Sequence, residues 1–388
     1  MRVVINAQLD PAFSGGIAQA LSGLVHGLGS LSGSDEYLLV CTPKSAEWLS
    51  PYTGRNQAIH INRGRKLAPA RGVRISDGFW ESFSPDLLHF PYQAYTRTNV
   101  PTVFNPHDLQ HVHLPECFSE AERERREVLY GDACRSATAI ATASTWVKND
   151  VVRHFEIPAE NVHVIPWGIP TTLHPETDGR ESEEEVLQRL GLSCGFAIYP
   201  AQTWPHKNHL RLFDALHLVY ERWGTRIPLV CSGAQTTHQD ALRRRLRDLG
   251  LDQQVHFVGY VDPNDLRALY RSALFMIVPT LHEALSFPVH EAFAEHLSVA
   301  CSNVTSLPEQ VGDAALLFDP HDTHAIADAM NRLYRDEGLR TDLSARGARR
   351  LVGLSWEATA KRYRDLYHAL VTGQGNSSVL QQQSMATR

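Results

Sequence analysis

Two glutamates stand with seven residues between them in Glu283-Ala-Leu-Ser-Phe-Pro-Val-His-Glu291. Ahead of them runs an apolar stretch, Leu274-Phe-Met-Ile-Val278, and behind them residues 289–297 carry helical spacing. The segment therefore reads as strand, loop, helix. Pro288 suits the first helical turn, where a missing N–H is no loss. The start of such a helix offers unpaired N–H groups and a positive dipole end, which favour a phosphate in the loop. Glu283 falls at the strand-to-loop edge and Glu291 on the expected first turn, so both can face one ligand. A carboxylate is the usual partner of vicinal sugar or ribose hydroxyls. Two surface glutamates eight positions apart also arise by chance, so the pair acquires meaning only from the rest of the chain.

Other positions of the same kind follow short apolar runs. Lys207, in Tyr199-Pro-Ala-Gln-Thr-Trp-Pro-His-Lys-Asn-His209, sits just before a helix. An ammonium beside helix-start N–H groups would grip a diphosphate, although a loop lysine is commonly just solvated. Ser14-Gly-Gly-Ile17 follows the first apolar run, and Gly15 and Gly16 would permit either a plain turn or close approach to an anion. Gly233, and Gly259 before Tyr260, end two further runs and could let a flat base lie against the backbone. His107-Asp-Leu-Gln-His-Val-His113 raises zinc through histidines 107, 111 and 113. Their spacing is not that of a helical zinc motif and no fourth ligand is apparent, so no metal is expected. A ligand-binding or a structural role for His107 remains open at this stage. Arg63, Arg65, Lys66, Arg71 and Arg74 fall within twelve residues that hold no acid. They suggest either a solvated loop or peripheral contact with anionic lipid through 63–74.

The elements that must position these groups are short unalternated apolar runs separated by amphipathic stretches such as 19–28, 210–223 and 239–249. Buried parallel strands crossed by helices give that pattern. A chain of 388 residues exceeds one typical core, and the order implies two doubly wound α/β domains. The expected division is a first domain at 1–170, a linker at 171–192, a second domain at 193–354, a helix at 355–371 and a disordered tail at 372–388. Net charge is -6 and the isoelectric point about 6.4, so the chain has no global signature of nucleic-acid binding. The first residues lack a signal-peptide core and no stretch is long enough to span a bilayer, so a cytoplasmic protein is expected. Six scattered cysteines without a Cys-x-x-Cys pattern are expected as reduced thiols.

Taken together, the chain resembles the retaining glycosyltransferases of family 4, which have the GT-B fold. The resemblance runs nearly the whole length. It comprises Gly15-Gly16, His107-Asp-Leu-Gln-His111, Pro205-His-Lys-Asn208, the Glu283-to-Glu291 element, Ser306-Leu-Pro-Glu309, Gly312-Asp-Ala-Ala-Leu-Leu-Phe-Asp319 and the final Trp356…Tyr363…Tyr367 helix. It implies two Rossmann-like domains facing a central cleft, with the acceptor on the first and a nucleotide-diphosphate sugar on the second. It implies that Glu291 holds ribose hydroxyls, Glu283 the transferred sugar, Lys207 the diphosphate with help from Gly16, and His107 the anomeric region. Gln202, Gly233, Tyr260, Ser286 and Phe287 join the expected donor site. No cofactor or metal is implied. The acceptor implied is a glycan or lipid-linked saccharide in bacterial polysaccharide assembly, and with it a peripheral place at the inner face of the cell membrane.

The sequence departs from the family in three places. Gln202 stands where an arginine is usual, leaving His206 or His209 as substitute cations. Ala284-Leu-Ser286 replaces Gly-Phe-Gly, so Ser286 would be strained if its backbone needed positive φ, or its hydroxyl could cap the next helix or touch phosphate. Glu295-His-Leu-Ser298 replaces a common Ala-Gly-x-Pro. These departures keep two other functions in view, a non-catalytic sugar-nucleotide-binding subunit and a GT-B sugar-nucleotide epimerase. A nicotinamide dehydrogenase is disfavoured because no Gly-x-Gly-x-x-Gly opens either domain.

Overall fold

The computed structural model describes residues 1–10, 15–63, 72–170 and 181–373. It divides into two compact units, Met1–Gly168 with Gly353–Arg388, and Ile169–Val352. Arg65, Lys66 and Arg71 of the basic stretch, the polar core of the expected linker, and residues 374–388 of the expected tail lie outside the described residues.

In the first unit the strands are β1 (Arg2–Ala7), β2 (Glu36–Cys41), β3 (Gln57–Ile61), β4 (Arg74–Ile75), β5 (Leu87–Phe90), β6 (Thr96–Arg97), β7 (Thr102–Phe104), β8 (Ala139–Thr142) and β9 (Val162–Val164). Seven form one parallel sheet in the order β3-β2-β1-β5-β7-β8-β9, while β4 and β6 pair separately as a short ribbon. In the second unit β10 (Phe196–Pro200), β11 (Leu229–Ser232), β12 (Val255–Gly259), β13 (Ala273–Val278), β14 (Val299–Ser302) and β15 (Ala315–Phe318) form a parallel sheet in the order β12-β11-β10-β13-β14-β15. Both orders run outward one way from the first strand and then reverse. The reversal opens a crevice at the strand ends between β1 and β5, and again between β10 and β13.

Burial explains why these runs carry no polar alternation. Val3, Val4 and Ile5 of β1, and Phe275, Met276 and Ile277 of β13, are fully buried, as strands covered on both faces must be. Helices begin on side-chain caps. Ser144, Asp262 and Ser355 each accept from backbone N–H groups at a helix start, and Ser182 and Glu185 form a reciprocal capping box.

The last helix, Trp356–Thr372, packs against Gly15–Ser30 in the first unit. Gly23 and Gly27 make that contact possible. A Cβ on Gly23 would come within 2.1 Å of the Trp356 ring, and one on Gly27 within 2.2 Å of its carbonyl oxygen. Among the described residues the cysteines are free thiols, four of them buried, and no helix is long and apolar enough to cross a membrane.

Candidate active site

At the strand ends of the second unit two of the singled-out side chains, Lys207 and Glu283, meet. The loop after β10 ends in a tight turn, Pro205–Lys207, which Tyr199 fixes by donating its hydroxyl to the Lys207 carbonyl at 2.8 Å. Asn208 follows with φ of +61° and caps the helix His209–Trp223 from a left-handed conformation that asparagine tolerates. Its amide donates to the carbonyls of Pro279 and Pro320, both at 2.9 Å. The Leu281 N–H donates to the His206 carbonyl at 2.8 Å, so the β10 and β13 loops are stitched together.

On that scaffold Lys207 Nζ forms an ion pair with the Glu283 carboxylate, and both side chains are largely shielded. The backbone of Glu283 is fixed independently. Its N–H donates to Thr305 Oγ1 at 3.0 Å, and its carbonyl accepts from Thr305 Oγ1 at 2.7 Å and Ser306 Oγ at 2.8 Å. The Ser306 end of the expected motif thus acts by holding the Glu283 loop.

The helix Phe287–Ala294 starts beside this pair, with Pro288 in its first turn and Phe287 buried. Ser286 has φ of −96° and ψ of 102°, so the position does not need positive φ and the expected strain is absent. Its hydroxyl makes no cap bond, which corrects the capping alternative. Instead, the Gln310 side chain holds the backbone: Ser286 N–H donates to Gln310 Oε1 at 2.9 Å, and Gln310 Nε2 donates to the Ser286 carbonyl at 2.7 Å. Glu291 is the fifth helical residue, in the second turn and not the first. It is buried, and its Oε2 accepts the Tyr270 hydroxyl at 2.7 Å.

Gly233 adopts φ of +126°, and a Cβ there would come within 2.7 Å of the Ala201 backbone, so glycine is required for β11 to end against the Gln202 loop. Gln202 accepts the Trp204 indole N–H at 2.7 Å. Tyr260, after Gly259, is the more open aromatic, at 79% exposure. His206 and His209, expected as substitute cations, carry no charge in the site as it stands. Burial, with the Lys207 charge beside them, pushes their pKa values down to about 2 and about 3, so both rings are neutral near pH 7.

The first unit holds the remaining calls. Gly15 and Gly16 form the opening turn of a helix and not a loop ahead of it. His107, after β7, has φ of +66°, its Nε2 lies 2.9 Å from the Pro91 carbonyl, and burial lowers its pKa. His111 lies 3.4 Å from Glu127, and His113 Nε2 lies 2.8 Å from Asp150. The three histidines thus have separate partners, and no group of three metal-ligating side chains occurs among the described residues.

Sequence reasoning missed Tyr270 and Gln310, and quoted Asn208 without the role its amide plays in joining the two loops. The first two act on Glu291 and Ser286 from separate helices, Pro263–Ser272 and Leu307–Val311, and the prolines in their first turns, Pro263 and Pro308, are the signals that could have marked them. Chemically, the second unit offers an ammonium and a helix start for an anion and two carboxylates for hydroxyls.

A family model described as glycosyl transferases group 1 matches residues 194–350, and one described as glycosyltransferase family 4 matches residues 15–173. An O-antigen chain mannosyltransferase B of Escherichia coli is 29% identical over 308 residues, covering 78% of each chain. A D-inositol 3-phosphate glycosyltransferase of Corynebacterium glutamicum is 24% identical, covering 80% of this chain and 78% of that protein. Among solved structures, a sucrose-phosphate synthase from Thermosynechococcus elongatus superposes with a TM-score of 0.74 at 18% identity, covering 96% of this chain and all of that one. Anabaena HepE in complex with UDP-glucose gives 0.72 at 18% identity, covering 95% of this chain and all of that one. At such identity the likeness speaks for the fold, which is GT-B with two doubly wound Rossmann-like domains.

Proposed function

The chain belongs to the group 1 glycosyltransferases of family 4, and on that premise we propose that it moves a sugar from a nucleoside-diphosphate sugar to a glycan or lipid-linked saccharide, with retention of anomeric configuration. The observation that carries this reading is the Lys207–Glu283 pair at the sheet reversal, beside a helix start. An ammonium and helix N–H groups suit a departing diphosphate, while Glu283 and Glu291 suit sugar and ribose hydroxyls. The name of the Escherichia coli relative supports mannose as the transferred sugar and a polysaccharide as the product.

In the reaction, the bond from the anomeric carbon to the phosphate oxygen breaks and its electron pair leaves with the diphosphate. The acceptor oxygen bonds to the same face of the sugar, and its proton passes to the departing phosphate. Stabilising charge on the leaving group is then the main catalytic task, and Lys207 with the 287–294 helix start performs it without a metal. His107, neutral through burial, contributes position rather than charge.

The test is a donor panel of GDP-mannose, UDP-glucose and related sugars, with magnesium or with EDTA, and proton NMR of the product. The expected result is EDTA-insensitive transfer from one donor with the anomeric configuration kept. An inverted product would overturn retention. Donor isomerised without acceptor would mean an epimerase, and donor bound without transfer or hydrolysis would mean a binding subunit.

A further inference from the structure

The carboxylate assigned to the ribose does not stand alone. We propose that Tyr270 is a positioning residue for donor recognition, its phenol holding the Glu291 carboxylate in the orientation that receives the vicinal ribose hydroxyls. This rests on the donor-site reading above.

Tyr270 is 1% exposed and lies on the helix Pro263–Ser272. That helix starts firmly, with Asp262 accepting from the N–H groups of Asn264 at 2.8 Å and Asp265 at 3.1 Å, and it packs against β10 and β13, the two strands flanking the crevice. Its hydroxyl donates to Glu291 Oε2 at 2.7 Å. On either side of Tyr270, Arg267 donates to Glu295 Oε1 at 2.8 Å and Arg271 to Glu295 Oε2 at 2.7 Å. Glu295 closes the helix that bears Glu291, one turn further on. Three donors on one helix thus meet two carboxylates four residues apart on the next. The arginine pairs fix how the helices lie along each other, and the phenol fixes one carboxylate oxygen within that frame.

The phenol is itself uncharged, so its contribution to Glu291 is the direction of one hydrogen bond. Burial and the neighbouring carboxylates raise the Tyr270 pKa far above the usual value, so it remains a donor at every working pH.

The experiment is calorimetric titration of the full chain with GDP, UDP and their 2′,3′-dideoxy analogues. Tyr270→Phe keeps the ring and removes one oxygen. It should weaken the preferred ribonucleotide roughly tenfold, the effect of one charge-assisted hydrogen bond, while changing the dideoxy analogue less than twofold and leaving kcat at saturating donor unaltered. Glu291→Gln should discriminate at least as strongly, and the double variant should be no weaker than Glu291→Gln alone. Equal weakening of both nucleotides by Tyr270→Phe would mark a merely structural role and overturn the proposal. If only Glu291→Gln discriminates, the positioning role is wrong and the ribose assignment stands. If Glu291→Gln does not discriminate, the ribose assignment itself fails, and the role of Tyr270 with it.

Discussion

The two sheets share the same outward-and-back strand order, yet the strand ends at their reversals are built from different chemistry. In the second unit the crevice between β10 and β13 carries charge, Lys207 against Glu283, and the helix that starts after it bears the buried Glu291. In the first unit the corresponding strands carry a neutral, closed network. Tyr92 donates to Asn6 at 3.0 Å, and His89 is held between the Asn105 side chain and the Tyr367 hydroxyl, both at 2.7 Å. Asn105 also donates to the Tyr363 hydroxyl at 2.8 Å and the Ala141 carbonyl at 3.0 Å. Charges kept half-buried are costly unless a ligand uses them, whereas a saturated neutral network favours one rigid geometry. Strand order therefore opens a crevice in each unit, and the side chains at its rim give the two crevices different chemistry.

The largest effect should follow from removing the cation. Lys207→Ala is expected to lower kcat/KM by roughly 10²–10³-fold, the scale of losing one group that stabilises developing negative charge, with both donor affinity and turnover depressed. His107→Ala, in the neutral unit, is expected to cost less. The reverse ranking in steady-state kinetics would break the contrast between a charged and a neutral rim.

Next comes the hub of the neutral network. Asn105→Ala strips partners from His89, Tyr363 and the Ala141 carbonyl together, and should cost roughly 2–4 kcal/mol in denaturant unfolding, since each buried polar group left unsatisfied costs ~1–3 kcal/mol. A loss below about 1 kcal/mol would mean that the network is not what makes this unit rigid.

Acid should act on both units alike. Burial holds His89 in the first unit and His290 in the second at about 4, below the usual 6.5, so each is neutral when folded. The unfolded chain then binds protons that the folded one refuses. The stability these groups contribute is complete above pH 6.5 and is lost as pH falls towards and through about 4. Melting midpoints should therefore decline steadily from pH 7 to pH 5. A flat profile across that window would show that the buried histidines accept protons without unfolding.

Much of this was legible in the sequence because parallel strands buried on both faces read as uninterrupted apolar runs, as Val3-Val-Ile5 and Leu274–Val278 do. The site positions were legible for a related reason: Lys207 and Glu283 each follow such a run, and topology gathers strand ends. The supporting contacts were not. Tyr270 lies 21 positions from Glu291 and Gln310 lies 24 from Ser286, so each contact depends on how two helices lie side by side, which periodicity does not encode. Protonation escaped for the same reason. His206 and His209 flank a lysine in sequence and look cationic, but burial decides their charge.

The smallest effect is the most pointed about that loop. If Ser286 had replaced a glycine in a left-handed conformation, Ser286→Gly would relieve strain and raise activity. With φ at −96° there is no strain to relieve. The backbone is already held on both sides by the Gln310 amide, at 2.9 and 2.7 Å. Glycine would only widen the conformations open to the unfolded loop, at a cost of roughly 0.5–1 kcal/mol. Ser286→Gly should therefore leave kcat within about twofold and lower the melting midpoint by a few degrees at most. Gln310→Ala should do more, because it releases both backbone contacts and loosens the turn from which the 287–294 helix starts. A clear gain in turnover from Ser286→Gly would mean that the loop adopts another conformation around the donor. The charged rim would then be assembled by the ligand, in contrast to the neutral network of the first unit, which is complete beforehand.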